Sequence, residues 1–381
     1  MIAGLRRHIA RHLKNISGWQ TDRKIVVIES DDWGSIRMPS KQVFNNFLRS
    51  GYRVDQAPPY ERYDSLASTD DLELLFNVLS SIEDQNGKPA VITANILTAN
   101  PDFDKIKASG YQEYFYELIT KTFDRYPRHA NCLNLWKGGY EAGIFHPQSH
   151  GREHLNVSLF MNALQEADED VLFAFKNRLA GSIPKSNPMQ GNQFVESLRF
   201  ANQDDKQQKL SIILEGLDLF ESLMGYRSET FIPPNYLWSP DYDESMSKKG
   251  VRFYQGNWKM QQPLFDGSVQ MNRHRLGEEN KFGQQYLVRN ATFEPAMVTT
   301  GKDPVGSCLQ DISAAFRLNK PAIICSHRLN FVGFIDETNR DRNLQMLQEL
   351  LSTITKRWPQ VEFLNSVELG NMMVSENGRH I

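Results

Sequence analysis

The stretch Lys24–Pro39, KIVVIESDDWGSIRMP, decides how the chain is read. Ile25–Ile28 is a short β-branched apolar run, which suits a strand buried on both faces. It stops at Glu29, Ser30, Asp31 and Asp32, followed by Trp33 and Gly34. Three acids within four residues repel one another, and desolvating them at the end of a buried strand is costly. Stability gives no reason to put them there, whereas a metal ion or a proton to be abstracted does. Either aspartate alone could instead cap the next turn or the helix expected near Ser40. The rest of the sequence has to supply partners for the pair.

The chain has 381 residues, of which 40% are hydrophobic and 11% aromatic, so a sizeable core can form. A net charge of -3 argues against a nucleic-acid binder built on phosphate contacts. Cys132, Cys308 and Cys325 form no CxxC pair and are too few for a disulfide framework, which points to a reducing compartment. No apolar run reaches about 18 residues, so no membrane-spanning segment is expected. The N-terminus lacks the apolar region and cleavage site of a signal peptide, and a cytoplasmic location is expected. Residues 1–22 read instead as a basic amphipathic helix, with Ile2, Leu5, Ile9 and Leu13 on one stripe and Arg6, Arg7, Arg11 and Lys14 beside it. Such a helix packs on the bottom of its own barrel, or makes a weak contact with an anionic membrane surface. His8 and His12 have the spacing of a metal pair but no carboxylate nearby, and read as surface residues.

Strands and helices then alternate through a single domain over 23–381. A helix is expected near Gln42–Arg49, followed by an irregular polar insertion over Gly51–Thr69 that contains Pro58-Pro59. Helical periodicity over Asp70–Glu83 ends at the turn signal Asn86-Gly87. Pro89–Ile96 reads as a second strand, and Tyr140–Phe145 as a third after an aromatic-rich helix over Tyr111–Tyr126. Helices over Glu153–Glu166, Asp168–Leu179 and Asp205–Met224 follow. Further strands are expected at Thr230–Ile232, Val251–Tyr254, Tyr286–Arg289, Ala322–Cys325 and Val361–Leu364. Gln261–Lys281 reads as a loop excursion and Asn339–Arg357 as a strongly periodic helix. The alternation implies α/β with a parallel sheet, and the length favours a closed barrel over an open doubly wound sheet. A site is expected at the carboxyl ends of the strands, where the polar clusters fall.

One such cluster is YEAGIFHPQSHGREHLNVSLF, with His146, His150 and His154 each four residues from the next. Across a strand-to-helix junction, His150 can sit on the loop and His154 one helical turn later on the same face. Two neutral imidazoles and a carboxylate, with an open position for water, make a catalytic site for Zn²⁺ or a similar ion. Gly151 leaves room beside the ion. His146 is the ambiguous member, because Pro147 blocks one helix through all three. Phe231-Ile232-Pro233-Pro234-Asn235-Tyr236 lies just past another strand, where the prolines can aim the next amides at a reacting oxygen. In Cys325-Ser326-His327-Arg328 a histidine ends an apolar strand. It is either a buried polar group bonded to backbone or a general acid poised near neutral pH.

In this order the motifs resemble the polysaccharide deacetylase family, also called the NodB-homology or carbohydrate esterase family 4 group. The resemblance runs from about Lys24 to about Met373. It implies a distorted (β/α) barrel of about seven parallel strands, with Asp31 as base in ESDDWG and Asp32 as metal ligand. It also implies His150 and His154 of HGREH as ligands and His327 as general acid. Three positions depart from the family pattern. Gly151 stands where Ser or Thr is usual, Ile232 replaces an Arg that orients the base, and Asn235 takes the usual tyrosine position. Arg227, Arg289 or Arg328 are candidates to replace the missing guanidinium, and Glu294 in RNATFEP is a candidate for the acid that tunes the histidine.

The implied reaction is metal-dependent hydrolysis of an acetamide or acetyl ester on a carbohydrate. The implied ion is divalent, zinc first, with cobalt, nickel or manganese as alternatives. Backbone N–H groups of Asn235 or Tyr236 would hold the oxyanion, and Trp33, Tyr236 and Trp238 either offer flat faces to sugar rings or pack in the core. Two other readings stay open: a related barrel hydrolase acting on a glycosidic or non-sugar amide bond, and a carbohydrate-binding barrel without turnover. A cytoplasmic deacetylase would meet a surface-polysaccharide precursor (nucleotide-linked, lipid-linked or short free sugar) rather than finished polymer.

Overall fold

Ile25–Ile28 forms the heart of strand β1 (Lys24–Trp33), and all four residues are buried, as an unbroken apolar run requires. The structure, a computed structural model, describes residues 11–298 and 301–377. Around β1 a parallel sheet is completed by β2 (Ile92–Ile96), β3 (Phe145–Ser149), β4 (Thr230–Phe231), β5 (Phe253–Gly256), β6 (Gln285–Val288), β7 (Ala291–Thr292), β8 (Ala322–His327) and β9 (Val361–Phe363). The order is β6-β5-β4-β3-β2-β1-β8-β7, and β9 joins the lower end of β1 on the side that β2 takes higher up.

β6 and β7 lie at opposite edges, yet only Arg289 and Asn290 separate them in the chain. The Arg289 N–H donates to Gly256 O on the β5 side at 2.8 Å, and the Asn290 N–H donates to Ile323 O on β8 at 3.0 Å. One stretch of chain thus serves both edges and closes the curled sheet. With β6–β7 as one stave and β9 continuing the β2 position, the barrel has seven staves. Helices Thr69–Ser80, Cys132–Glu141, Pro304–Arg317 and Glu337–Arg357 pack on one side of it through Leu72, Leu75, Trp136, Ile312, Leu347 and Leu351. On another side the helix Gln203–Met224 buries Ile213 and Leu217 with Phe231 and Tyr254.

Several boundaries differ from the sequence expectation. The third strand is Phe145–Ser149 rather than Tyr140–Phe145, because Cys132–Glu141 continues as helix and Gly143, with φ 70°, breaks it. The expected helix over Tyr111–Tyr126 is split into the strand Tyr116–Leu118, paired with Ala99–Pro101, and the helix Ile119–Arg125. Gln261–Lys281 is not a plain loop, since Lys259–Pro263 and Val269–Arg273 form an antiparallel hairpin. The insertion over Gly51–Thr69 contains two short helical segments, Val54–Gln56 and Pro59–Tyr63.

Of the basic helix expected over Ile2–Ile16, residues 1–10 lie outside the described residues. The part that follows packs along the β6–β7 seam and ends at the foot of β8, where the Thr21 N–H donates to Asn319 O at 2.8 Å. Arg11 bonds Asp311 at 2.7 Å, Asn15 accepts from Asn290 Nδ2 at 2.8 Å, and the Trp19 N–H donates to Leu276 O at 2.7 Å. Among the described residues no helix is long and apolar enough to cross a membrane.

Gly216 lets the helix Gln203–Met224 press directly on the loop after β3. A Cβ there would lie 2.6 Å from Arg152 N and 2.9 Å from Gly151 C. Gly216→Ala must therefore push the histidine loop off the helix, at a cost of about 1–3 kcal/mol. Urea unfolding checks this, and a variant as stable as the parent would show that the contact has slack.

Candidate active site

On a regular strand, adjacent side chains point to opposite faces. β1 breaks that rule where it matters: its register against β2 shifts between Ser30 and Trp33, and Asp32 takes φ 73°. A non-glycine residue held there costs about 1–3 kcal/mol. The result is that Asp31 and Asp32 both line one cavity of about 380 Å³. His150, His154, Asn235, Tyr236 and His327 share its wall.

His150 Nδ1 lies 2.8 Å from Ile232 O, and since a carbonyl only accepts, this nitrogen carries the proton. Its Nε2 is left as a lone pair 3.5 Å from Asp32 Oδ1, and His154 Nε2 lies 3.6 Å from the same oxygen. These separations exceed a normal hydrogen bond, yet one donor atom from each residue falls within 4.8 Å of the others. Burial pushes His154 down to about 3, so its ring is neutral at any ordinary pH. Burial opposes ionisation of Asp32, but the Arg37 charge and the two imidazoles outweigh it and hold the carboxyl well below its usual range. Arg37 Nη2 sits 3.5 Å from Asp32 Oδ2.

HGREH is not a loop-to-helix junction. The helix begins only at Val157, capped by Asn156, so both histidines ride on the loop. Nor does Gly151 serve to leave room: a Cβ would meet only Leu97 Cδ2 at 4.0 Å, whereas its φ of 110° demands glycine.

Asp31 is held by a guanidinium from the barrel seam. Arg289 Nη1 and Nη2 each lie 2.7 Å from one Asp31 oxygen, while its Nε donates to Glu29 Oε2 at 2.6 Å. Asn95 Nδ2 adds a bond to Asp31 Oδ1 at 2.7 Å. Burial would raise the Asp31 carboxyl, but Arg289 prevails and lowers it to about 2. For Glu29 burial wins and the shift is upward, with Arg289 and Ser366 opposing. Of the other candidate arginines, Arg227 pairs with Glu221 at the surface and Arg328 is buried against Asp64 and Ser35 O.

His327 stands in register with Asp31 across the β1–β8 ladder, its Nε2 3.6 Å from Asp31 Oδ2. Its Nδ1 meets Glu294 Oε1 at 2.5 Å, and Asn330 Nδ2 donates to the other Glu294 oxygen at 2.7 Å. Burial disfavours the imidazolium, but Glu294 and then Asp31 hold it well above the ordinary histidine range. Glu294 thus sits where an acid that tunes the histidine is required.

Other expectations change. Trp33 is no sugar platform: it is 1% exposed, edge-on to Phe145, and bonds Ser30 Oγ at 3.0 Å. Trp238 is likewise buried and bonds Asp243. His146 lies apart, beside Tyr140 in a separate cavity of about 300 Å³, and burial lowers it to about 4. Asn235 and Tyr236 take φ 55° and 56°, and the Tyr236 N–H is spent on Pro233 O at 3.0 Å. Asn95 belongs to the polar end of the second strand, whereas Arg37, Tyr60 and Glu61 carry no expectation from sequence. Arg37, Tyr60 and Glu61 line the cavity, and Tyr60 stands edge-on to His327 at 5.4 Å. Arg37 lies inside the stretch that opened the reading and was the one with a detectable signal, a cation close to two acids.

No protein-family model matches the sequence, and no curated protein matches it. Solved structures do. A Parabacteroides distasonis protein provisionally described as a glycoside hydrolase/deacetylase aligns over 93% of this chain and 72% of its own, with TM-score 0.50 and 8% identity. A Mycobacterium smegmatis protein provisionally described as a polysaccharide deacetylase covers 95% and 94%, with TM-score 0.46 and 8% identity. A probable polysaccharide deacetylase from Pseudomonas aeruginosa PAO1 covers 92% and 91%, with TM-score 0.42 and 9% identity. The likeness is one of fold, the NodB-like deacetylase barrel.

Arg289→Met would leave Glu29 and Asp31 buried without their cation, a loss of about 3–5 kcal/mol at neutral pH. Folding lowers the Asp31 carboxyl from about 3.9. Its contribution is therefore complete above that pH and is lost as pH falls through about 2. The deficit of the variant should shrink toward pH 2, and an equal deficit in urea unfolding at neutral and acid pH would count against the clamp.

Proposed function

We propose that this chain is a metal-dependent hydrolase that removes acetyl groups, as N- or O-acyl, from a carbohydrate. The observation that carries the reading is one cavity holding a carboxylate–imidazole–imidazole donor set beside an ionised acid and a protonated base. The donor set fits a divalent ion. Both Nε2 atoms face Asp32 Oδ1 at distances too long for hydrogen bonds, His150 is oriented by Ile232 O, and the His154 ring is neutral. Asp32, His150 and His154 would hold it, and two nitrogens with one oxygen suit zinc first, then cobalt, nickel or manganese. When bound, such an ion supplies Lewis-acid polarisation of the acyl carbonyl and acidifies water.

The chain's own groups do the rest. Asp31, kept ionised and fixed in orientation by Arg289 and Asn95, accepts the proton of the attacking water. With Tyr236 N–H already bonded, the oxyanion role narrows to the Asn235 N–H. His327, held protonated by Glu294, donates from Nε2 to the leaving nitrogen or oxygen. The oppositely directed shifts on Asp31 and His327 divide base from acid at neutral pH. Ile232 at the position before the prolines is no argument for lost turnover, because Arg289 brings a guanidinium to the base from the link between β6 and β7. The substrate proposed is a precursor of a surface polysaccharide met in the cytoplasm.

Metal analysis paired with an acetate-release assay tests this. His150→Ala and His154→Ala should each fall well below one metal per chain and lose activity. Asp31→Asn should keep the ion and lose turnover, whereas Asp32→Asn should lose the ion. Full metal occupancy in the double histidine variant would falsify the site, and equal metal retention by both aspartate variants would end the division of roles.

A further inference from the structure

Tyr236 is a wall between two cavities. On its far side from the reaction cavity lies a second one of about 440 Å³, lined among others by Arg11, Lys14, Trp258, Arg289 and Thr292 and by one carboxylate, Asp311. Two of its cations are committed elsewhere: Arg11 to Asp311, and Arg289 to Glu29 and Asp31. Lys14 is not. It is half-buried, and among the described residues no carboxylate lies within ion-pair distance of its ammonium. Burial lowers its pKa, with Asp311 opposing from a distance. A desolvated cation without a partner is costly, and an anionic ligand removes that cost. Two further cations stand just outside the lining, against its Trp258: Lys259 lies 4.7 Å and Arg273 5.6 Å from the centre of that ring, and neither has a carboxylate partner among the described residues. Leu13, 53% exposed, adds an apolar rim.

We infer that this cavity is an anion subsite that takes the diphosphate linkage of an activated sugar, while the acetylated ring reaches the Asp31–His327 side of Tyr236. The inference rests on the deacetylase reading for its choice of substrate, but the anion site itself is separately testable. A diphosphate-linked sugar can be a nucleoside diphosphate sugar, with Trp258 facing the base, or a polyprenyl diphosphate sugar, with Leu13 facing the lipid. The diphosphate is the chemistry common to both.

Inorganic pyrophosphate is the first probe, titrated into the full-length metal-loaded protein by calorimetry. One site is expected, weakened about tenfold by Lys14→Gln and retained by Lys14→Arg. Should Lys14→Gln fail to fold, judged by its melting temperature, the Lys259→Gln/Arg273→Gln double variant is expected to weaken binding in the same direction. No binding, or binding that none of these changes weakens, overturns the subsite. Acetate release is then compared on UDP-N-acetylglucosamine, on N-acetylglucosaminyl polyprenyl diphosphate in detergent micelles, and on neutral N-acetylglucosamine oligomers. Release from either diphosphate substrate supports the inference and identifies the source. Release from the neutral oligomers alone overturns it while the deacetylase reading stands. Lys14-dependent pyrophosphate binding without acetate from any substrate overturns the deacetylase reading and leaves an anion site of another purpose.

Discussion

The Arg289 guanidinium is the contact on which the rest of this molecule turns. Its three nitrogens reach Glu29 and both oxygens of Asp31, all of them buried. Without it two carboxylates would stand at the end of β1 in a medium that cannot solvate them. With it, the strand can end in acids, and Asp31 can keep its charge. Arg289 can reach them because its backbone bridges the two edges of the sheet, bonded to β5 through its own N–H and to β8 through Asn290. Closure of the barrel and neutralisation of the site are one event.

Around that contact the site is graded by charge. Asp32 faces two imidazole nitrogens at 3.5 and 3.6 Å and the Arg37 cation at 3.5 Å, which together hold its carboxyl low. Asp31 is locked to a permanent cation, while His327 is locked to Glu294, which holds its proton. Three carboxylates and three histidines in a few ångströms would be unstable if each kept its ordinary protonation. The two arginines and Glu294 make the set self-consistent.

Much of this was legible in the sequence, for physical reasons that also explain what was not. Parallel strands buried on both faces are apolar runs, so β1 and β8 stand out, and alternation with amphipathic helices implies the barrel. The clustering of acids and histidines at strand ends was visible because such residues are expensive there. β4 is expected at Thr230–Ile232 and found at Thr230–Phe231, whereas β3 is expected too early, because Tyr140 and Ala142 belong to the end of the preceding helix rather than to the strand. The bulge that turns Asp31 and Asp32 to one side is a property of the β1–β2 pairing, which a single strand's sequence does not encode. The same bulge decides for Trp33 between a sugar face and the core: beyond it the ring turns into the core against Phe145. Arg289 could be named only as one of three arginines, because its reach to Asp31 depends on how the last staves close.

The distance along the chain between Asp31 and Arg289, 258 residues, has a consequence for synthesis. A chain leaving the ribosome amino end first presents β1 early, yet its counter-charge is among the last parts of the barrel to appear. Until then Glu29 and Asp31 have no cation to meet them, and burying β1 in a dry core would strand both charges however favourable its apolar half may be. The acids act as a brake on premature burial of the central strand. They hold it open to solvent until the one segment able to seal the barrel arrives with the charge that permits sealing.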